Sequence, residues 1–183
     1  MKAVIIYWSA TGNTKKVAVT IHDTLKENGI EVELKTIKES PDTDLFDYDL
    51  VFIGSPSYMW APPDPVLEWV KQRMDYYRKQ GTIKPSSPAI PGKTAVVFVT
   101  YSGPHTGIAE AIPAGKYLGQ LLEHIGFDVL DEWYIIGEFH NSEENSTKGR
   151  LGDIRGRPNR EDLENVAKDV EKVLKKFNNK IHQ

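Results

Sequence analysis

The chain has 183 residues, 39% of them hydrophobic, which suits one domain over residues 1–183 with a substantial core. Its 23 Lys+Arg against 26 Asp+Glu leave a formal net charge of −3, too even for a nucleic-acid partner held through its phosphates. With no cysteine there is no disulfide, thiol nucleophile, thiolate metal site or cysteine-ligated cluster, so any redox chemistry must come from a bound organic cofactor.

In chain order, the apolar run Ala3 to Trp8 predicts a first strand. It is too short for the apolar segment of a signal peptide, and no later run is long enough to span a bilayer, so a cytoplasmic location without membrane insertion is expected. Val17, Ala18, Ile21 and Leu25 follow at helical spacing from Thr14 to a stop at Asn28-Gly29. Ile30, Val32 and Leu34 alternate with charged residues, as in an edge strand. Leu50 to Ile53 predicts a central strand ending at Gly54-Ser55-Pro56, and Val66, Leu67, Val70 and Met74 predict the next helix. A proline- and serine-rich loop from Lys79 to Gly92 leads to a fourth strand, Ala95 to Val99. A helix from about Pro113 to Ile125, a fifth strand including Trp133 to Ile136 and a polar segment from Glu138 to Pro158 come next. Asn159 is placed to cap a last helix carrying Leu163, Val166, Val170, Val173 and Phe177.

Alternating strands and helices predict an α/β fold, a doubly wound five-stranded parallel sheet of order 2-1-3-4-5 between two helical layers. Ligands of such sheets lie beyond the carboxyl ends of the strands, where the winding direction reverses. That crevice is bordered by the loops after strands one, three and four.

The first of these reads Ser9-Ala10-Thr11-Gly12-Asn13-Thr14 and opens directly into a helix. Hydroxyls and free backbone N–H groups at a helix N-terminus make an anion site, and Gly12 lets the backbone come close to the anion. A Walker A loop would need a Gly-Lys-Ser/Thr ending, and a dinucleotide fingerprint three spaced glycines; neither is present. The bland alternative is that Ser9 and Thr14 only cap the helix.

Ser9-x-Thr11-Gly12-Asn13-Thr14, directly after the first strand, resembles the FMN-phosphate loop of the flavodoxin-like family, itself a standard instance of the crevice rule. Gly156-Arg157-Pro158-Asn159 before Asp162-Leu163 resembles the start of the last helix in many members. The resemblance implies one bound FMN with its ring between the two later loops. Ser55, Pro56, Ser57, Tyr58, Met59 and Trp60 would line one side and Tyr101, Ser102, Gly103, His105 and Gly107 the other. Tyr58 is expected to face the ring, Trp60 to face either the ring or the following helix, and Tyr101 to stack opposite. Small residues after strand four would offer N–H groups to ring carbonyls. No glycine lies between Ser57 and Trp60, where many electron-transfer flavodoxins flip a peptide, so a weaker hold on the one-electron-reduced flavin is expected.

Two functions follow from the resemblance: electron transfer between protein partners, or an NAD(P)H-dependent flavin or quinone reductase acting on a small-molecule acceptor. His105 is the candidate proton donor for the second, with no catalytic residue assigned for the first. Arg150, Arg155 and Arg157 either hold a nicotinamide phosphate or a partner's carboxylates, or simply stand in solvent. The 138–158 segment is long enough for a lid or a dimer contact. A phosphoacceptor receiver is excluded by Ser9 and Gly54-Ser55 where acidic residues would be needed, and the histidines show no metal-ligand spacing.

Overall fold

Uninterrupted apolar runs become strands covered on both faces, as a parallel sheet between helices requires. In the computed structural model, which describes residues 1–181, β1 (Lys2–Tyr7), β3 (Leu50–Pro56) and β4 (Thr94–Tyr101) form the centre of the sheet. They are flanked by β2 (Glu31–Thr36) and β5 (Asp128–Ile136), giving the order β2-β1-β3-β4-β5 with every pair parallel, as the sequence predicts. Side chains of the central strands alternate between two cores. Ala3, Ile5, Leu50, Phe52, Val96 and Phe98 pack with residues of α1 (Asn13–Glu27) and α5 (Arg160–Ile181). Val4, Ile6, Val51, Ile53, Val97 and Val99 pack with those of α2 (Asp64–Lys79) and α3 (Ile112–His124).

Two strands are longer than the apolar runs suggest. β3 continues through Gly54, Ser55 and Pro56, which still pair with Phe98, Val99 and Thr100 of β4. β5 begins at Asp128, ahead of Trp133, because its acidic residues are held from neighbouring helices. Lys116 of α3 reaches Glu132 at 3.0 Å and Lys176 of α5 reaches Asp131 at 3.3 Å. Charge on this outermost strand also discourages pairing with another sheet edge. The segment after β5 contains a short helix, α4 (Glu143–Thr147), absent from the sequence expectation. Asn159 caps α5 as expected. Its side chain accepts from the Asp162 N–H at 3.1 Å, and Asp162 accepts from the Asn159 N–H at 2.8 Å while also gripping the Arg157 guanidinium.

On the opposite edge, Glu33 of β2 accepts from Lys35 at 2.7 Å, Lys2 at 2.9 Å and Tyr48 at 3.0 Å. These donors, Lys35 foremost, hold its carboxyl down at about 2 from an ordinary value of 4.5. A depressed carboxyl stabilises the fold above its unfolded pKa and loses that contribution as pH falls from about 4.5 toward 2. The group is partly solvated, so the contribution is at most about 1 kcal/mol. Acid-unfolding curves of Glu33→Gln are expected to converge on the parent below that window and to lie slightly below it at neutral pH. A constant gap at all pH values would dismiss the network.

Candidate functional site

The loop after β1 turns into α1 at Gly12, whose φ of 99° and ψ of −14° are left-handed. Gly12, not Ser9 or Thr14, is the residue at the helix N-cap, and no side chain caps that end. Ser9 instead accepts the Gly12 N–H at 3.1 Å. The N–H groups of Ala10, Thr11, Asn13 and Thr14 meet no acceptor among the described residues. Donors left unmatched at the mouth of a fifteen-residue helix suit an oxyanion, and the helix dipole adds to their pull.

The Thr14 hydroxyl is buried and shares a 2.8 Å hydrogen bond with the Thr100 hydroxyl of β4, fastening the helix start to the sheet. Thr14→Val is therefore expected to lower the melting temperature of the flavin-free protein more than Thr11→Val does. It strands a buried hydroxyl at a cost of about 1–3 kcal/mol, whereas Thr11 is exposed. Equal melting temperatures for the two variants would show that the threonine pair contributes nothing.

After β3, Tyr58 and Ala61 exchange backbone hydrogen bonds at 2.8 and 3.1 Å around a tight turn with Met59 and Trp60 at its tip. Both tip residues already have positive φ, 48° and 68°. The left-handed backbone cost is therefore already carried at these two non-glycine residues in this structure. Trp60 is 60% exposed and Met59 85%, and neither joins the apolar cores of the sheet. Tyr58 leans edge-on against Trp8 with ring centroids 6.0 Å apart. Ser57 joins this turn to the next loop, its N–H donating to the Thr100 carbonyl at 2.9 Å and its hydroxyl to the Glu110 carbonyl at 2.6 Å.

The loop after β4 departs from expectation. The N–H groups of His105 and Thr106 donate to Glu110 Oε1 at 2.8 and 2.6 Å, and that of Gly107 to the Gly103 carbonyl at 3.0 Å. Only the Ser102 and Gly103 amides are left free for a ligand. Tyr101 is just 7% exposed, and burial raises its phenol above the ordinary value against the opposing pull of Arg157. Burial also raises Tyr58, so both rings stay neutral through physiological pH.

These loops enclose a cavity of about 550 Å³ at the carboxyl ends of the strands, within the range of small-ligand sites. Of the residues expected there, Ser9, Ala10, Thr11, Asn13, Thr14, Pro56, Ser57, Tyr58, Met59, Trp60, Tyr101, Ser102, Gly103 and His105 line it. Gly12, Ser55 and Gly107 do not. Gly12 shapes the turn; Ser55 is fully buried and donates to the Pro56 carbonyl; Gly107 lies under Arg150. Thr100, Glu110, Glu138, Phe139, His140, Asn141 and Asn145 also line the cavity, and the sequence did not assign them. The length of the 138–158 segment was the only signal for most of these. Arg155 and Arg157 are committed to Asp153 and Asp162, and no lysine or arginine among the described residues lines the cavity.

The family described as flavodoxin domain matches residues 4–83. The flavodoxin-like domain-containing protein BilS of Clostridioides difficile (strain CD3) is 45% identical over 56 residues, 30% of this chain and 30% of its own length. Probable flavodoxin 1 of Bacillus subtilis (strain 168) is 38% identical over 63 residues, 34% of this chain and 39% of its own. Over the whole fold, oxidised flavodoxin 1 from Bacillus cereus superposes with a TM-score of 0.67 at 22% identity, covering 96% of this chain and 98% of its own. The chain has the flavodoxin fold. The matched stretches span about a third of the curated relatives' own length, and the flavodoxin domain match falls on the part of the chain that holds β1, α1, β3 and the aromatic turn. No helix among the described residues is long and apolar enough to cross a membrane.

Proposed function

We propose that the protein binds one FMN in this cavity and passes electrons between protein partners. The observation that carries the reading is the set of unmatched N–H groups of Ala10, Thr11, Asn13 and Thr14 around a helix mouth, in a cavity lined by no lysine or arginine among the described residues. A phosphate monoester dianion supplies the acceptors they lack, and charge-assisted bonds to backbone N–H groups are among the stronger hydrogen bonds. Tyr58 and Trp60 on one side and Tyr101 on the other suit a flat heteroaromatic ring, and the Ser102 and Gly103 amides suit its carbonyl oxygens. When bound, FMN supplies a ring that takes up and releases electrons. The Glu110 carboxylate on the cavity wall, fixed by two amides, opposes extra negative charge there and so favours a strong reductant.

Reconstitution with FMN followed by anaerobic reduction tests this function. A yellow stoichiometric complex, inert to NADH and NADPH but reduced through a ferredoxin-type donor, is expected. Rapid reduction by either nucleotide with turnover on a quinone would instead mark a reductase on the same fold, with His105 at the cavity wall as its candidate proton donor. A protein that stays colourless in excess FMN would end both readings.

A further inference from the structure

The segment after β5 is folded against the phosphate loop, and both polar atoms of the Asn13 side chain are spent on that contact. Asn13 Nδ2 donates to the Glu138 carbonyl at 3.0 Å, and Asn13 Oδ1 lies 3.3 Å from His140 Nε2. With Nδ2 donating, Oδ1 must accept, so Nε2 carries the hydrogen. The approach is close by construction. A Cβ on Gly137 would stand 2.7 Å from Asn13 Nδ2, so a side chain there would press on the asparagine and displace its amide. The segment has its own fastening. The buried Ser146 hydroxyl accepts the Phe139 N–H and donates to the Phe139 carbonyl, both at 3.0 Å. Phe139, His140 and Asn141 line the same cavity as Ser9 to Thr11 and Asn13.

We infer that His140 and Asn13 form a latch that positions the first turn of α1 for a phosphate, making the segment after β5 a working part of the cradle. The inference rests on the FMN reading. Asn13 and Thr14 offer unmatched N–H groups from the turn that the latch holds. A donor array fixed before binding loses less freedom when it meets its anion, so a loosened turn weakens the phosphate contacts more than the ring contacts. His140 is a positioning residue in this arrangement.

The ratio of FMN to riboflavin affinity isolates the phosphate end, because the two ligands share every other atom. His140→Ala is expected to shrink that preference severalfold and Asn13→Ala by roughly tenfold, the scale of one hydrogen bond to a charged group. Riboflavin affinity should fall by a smaller factor than FMN affinity in both. The double variant should match Asn13→Ala, since partners in one contact are not additive. His140→Gln, whose amide still donates to Asn13, should recover most of the preference. If Asn13→Ala does not fold, the comparison of His140→Ala with His140→Gln decides alone. An unchanged ratio, equal losses for both ligands, or additive losses in the double variant would overturn the latch while leaving the FMN reading intact. A parent protein that does not prefer FMN over riboflavin would overturn that reading, and the latch with it.

Discussion

Gly54→Ala is expected to destabilise the protein by about 3 kcal/mol or more, at the upper end of what overpacking a core costs. Gly54 lies in the middle of the sheet, paired with Tyr7 of β1 and Phe98 of β4. The Phe98 ring lies across the face that a side chain would occupy, and a Cβ there would come within 2.0 Å of its Cζ and 2.2 Å of its Cε2. The ring is fully buried and packed with residues of α1 and α5, so it has little room to retreat. The damage should also reach the cavity, because the Gly54 carbonyl accepts the Trp8 N–H at 3.1 Å, just before the phosphate loop. Urea unfolding of Gly54→Ala, and of the same change combined with Phe98→Leu, measures the effect. The second change should restore part of the loss by vacating the overlap. A loss below about 1 kcal/mol for Gly54→Ala alone would mean that the ring swings aside freely.

The sheet was legible because each central strand is a run of apolar side chains with no competing pattern, and each helix stripe is interrupted by turn residues. Asp128 to Glu132 hid the first half of β5, since the lysines that neutralise its acids come from distant helices. The phosphate loop was legible as a local motif, with its hydroxyls and glycine in sequence. What the loop is tied to was not. Thr14 meets Thr100 and Asn13 meets the 138–140 stretch only after the chain has wound the whole sheet. The loop after β4 misled for a related reason: its composition promised free amides, yet Glu110, in the short 3₁₀ turn that follows it, takes two of them. Nor does a sequence without glycine announce left-handed backbone, so the conformation of Met59 and Trp60 had no signal at all.

Gly12 is where backbone conformation and ligand binding meet, and a graded series of substitutions should separate its roles. A Cβ at Gly12 would touch nothing within 4 Å, so the cost of a side chain comes entirely from holding φ at 99°. That cost is about 1–2 kcal/mol for alanine and larger for a β-branched residue. Asparagine, which tolerates the left-handed region, should suffer least. If the backbone instead relaxes to negative φ, the N–H groups of Ala10, Thr11 and Asn13 no longer converge. Each misdirected amide then forfeits about 1.5–3 kcal/mol of charged hydrogen bonding, so losing two of them weakens binding by about 10²–10⁴-fold. FMN affinity should therefore fall in the order Gly12→Asn, Gly12→Ala, Gly12→Val, with riboflavin affinity nearly level across the series. Titration of each variant with both flavins gives the answer. If Gly12→Val bound FMN as tightly as the parent, convergent backbone donors at the helix mouth would not be what holds the phosphate.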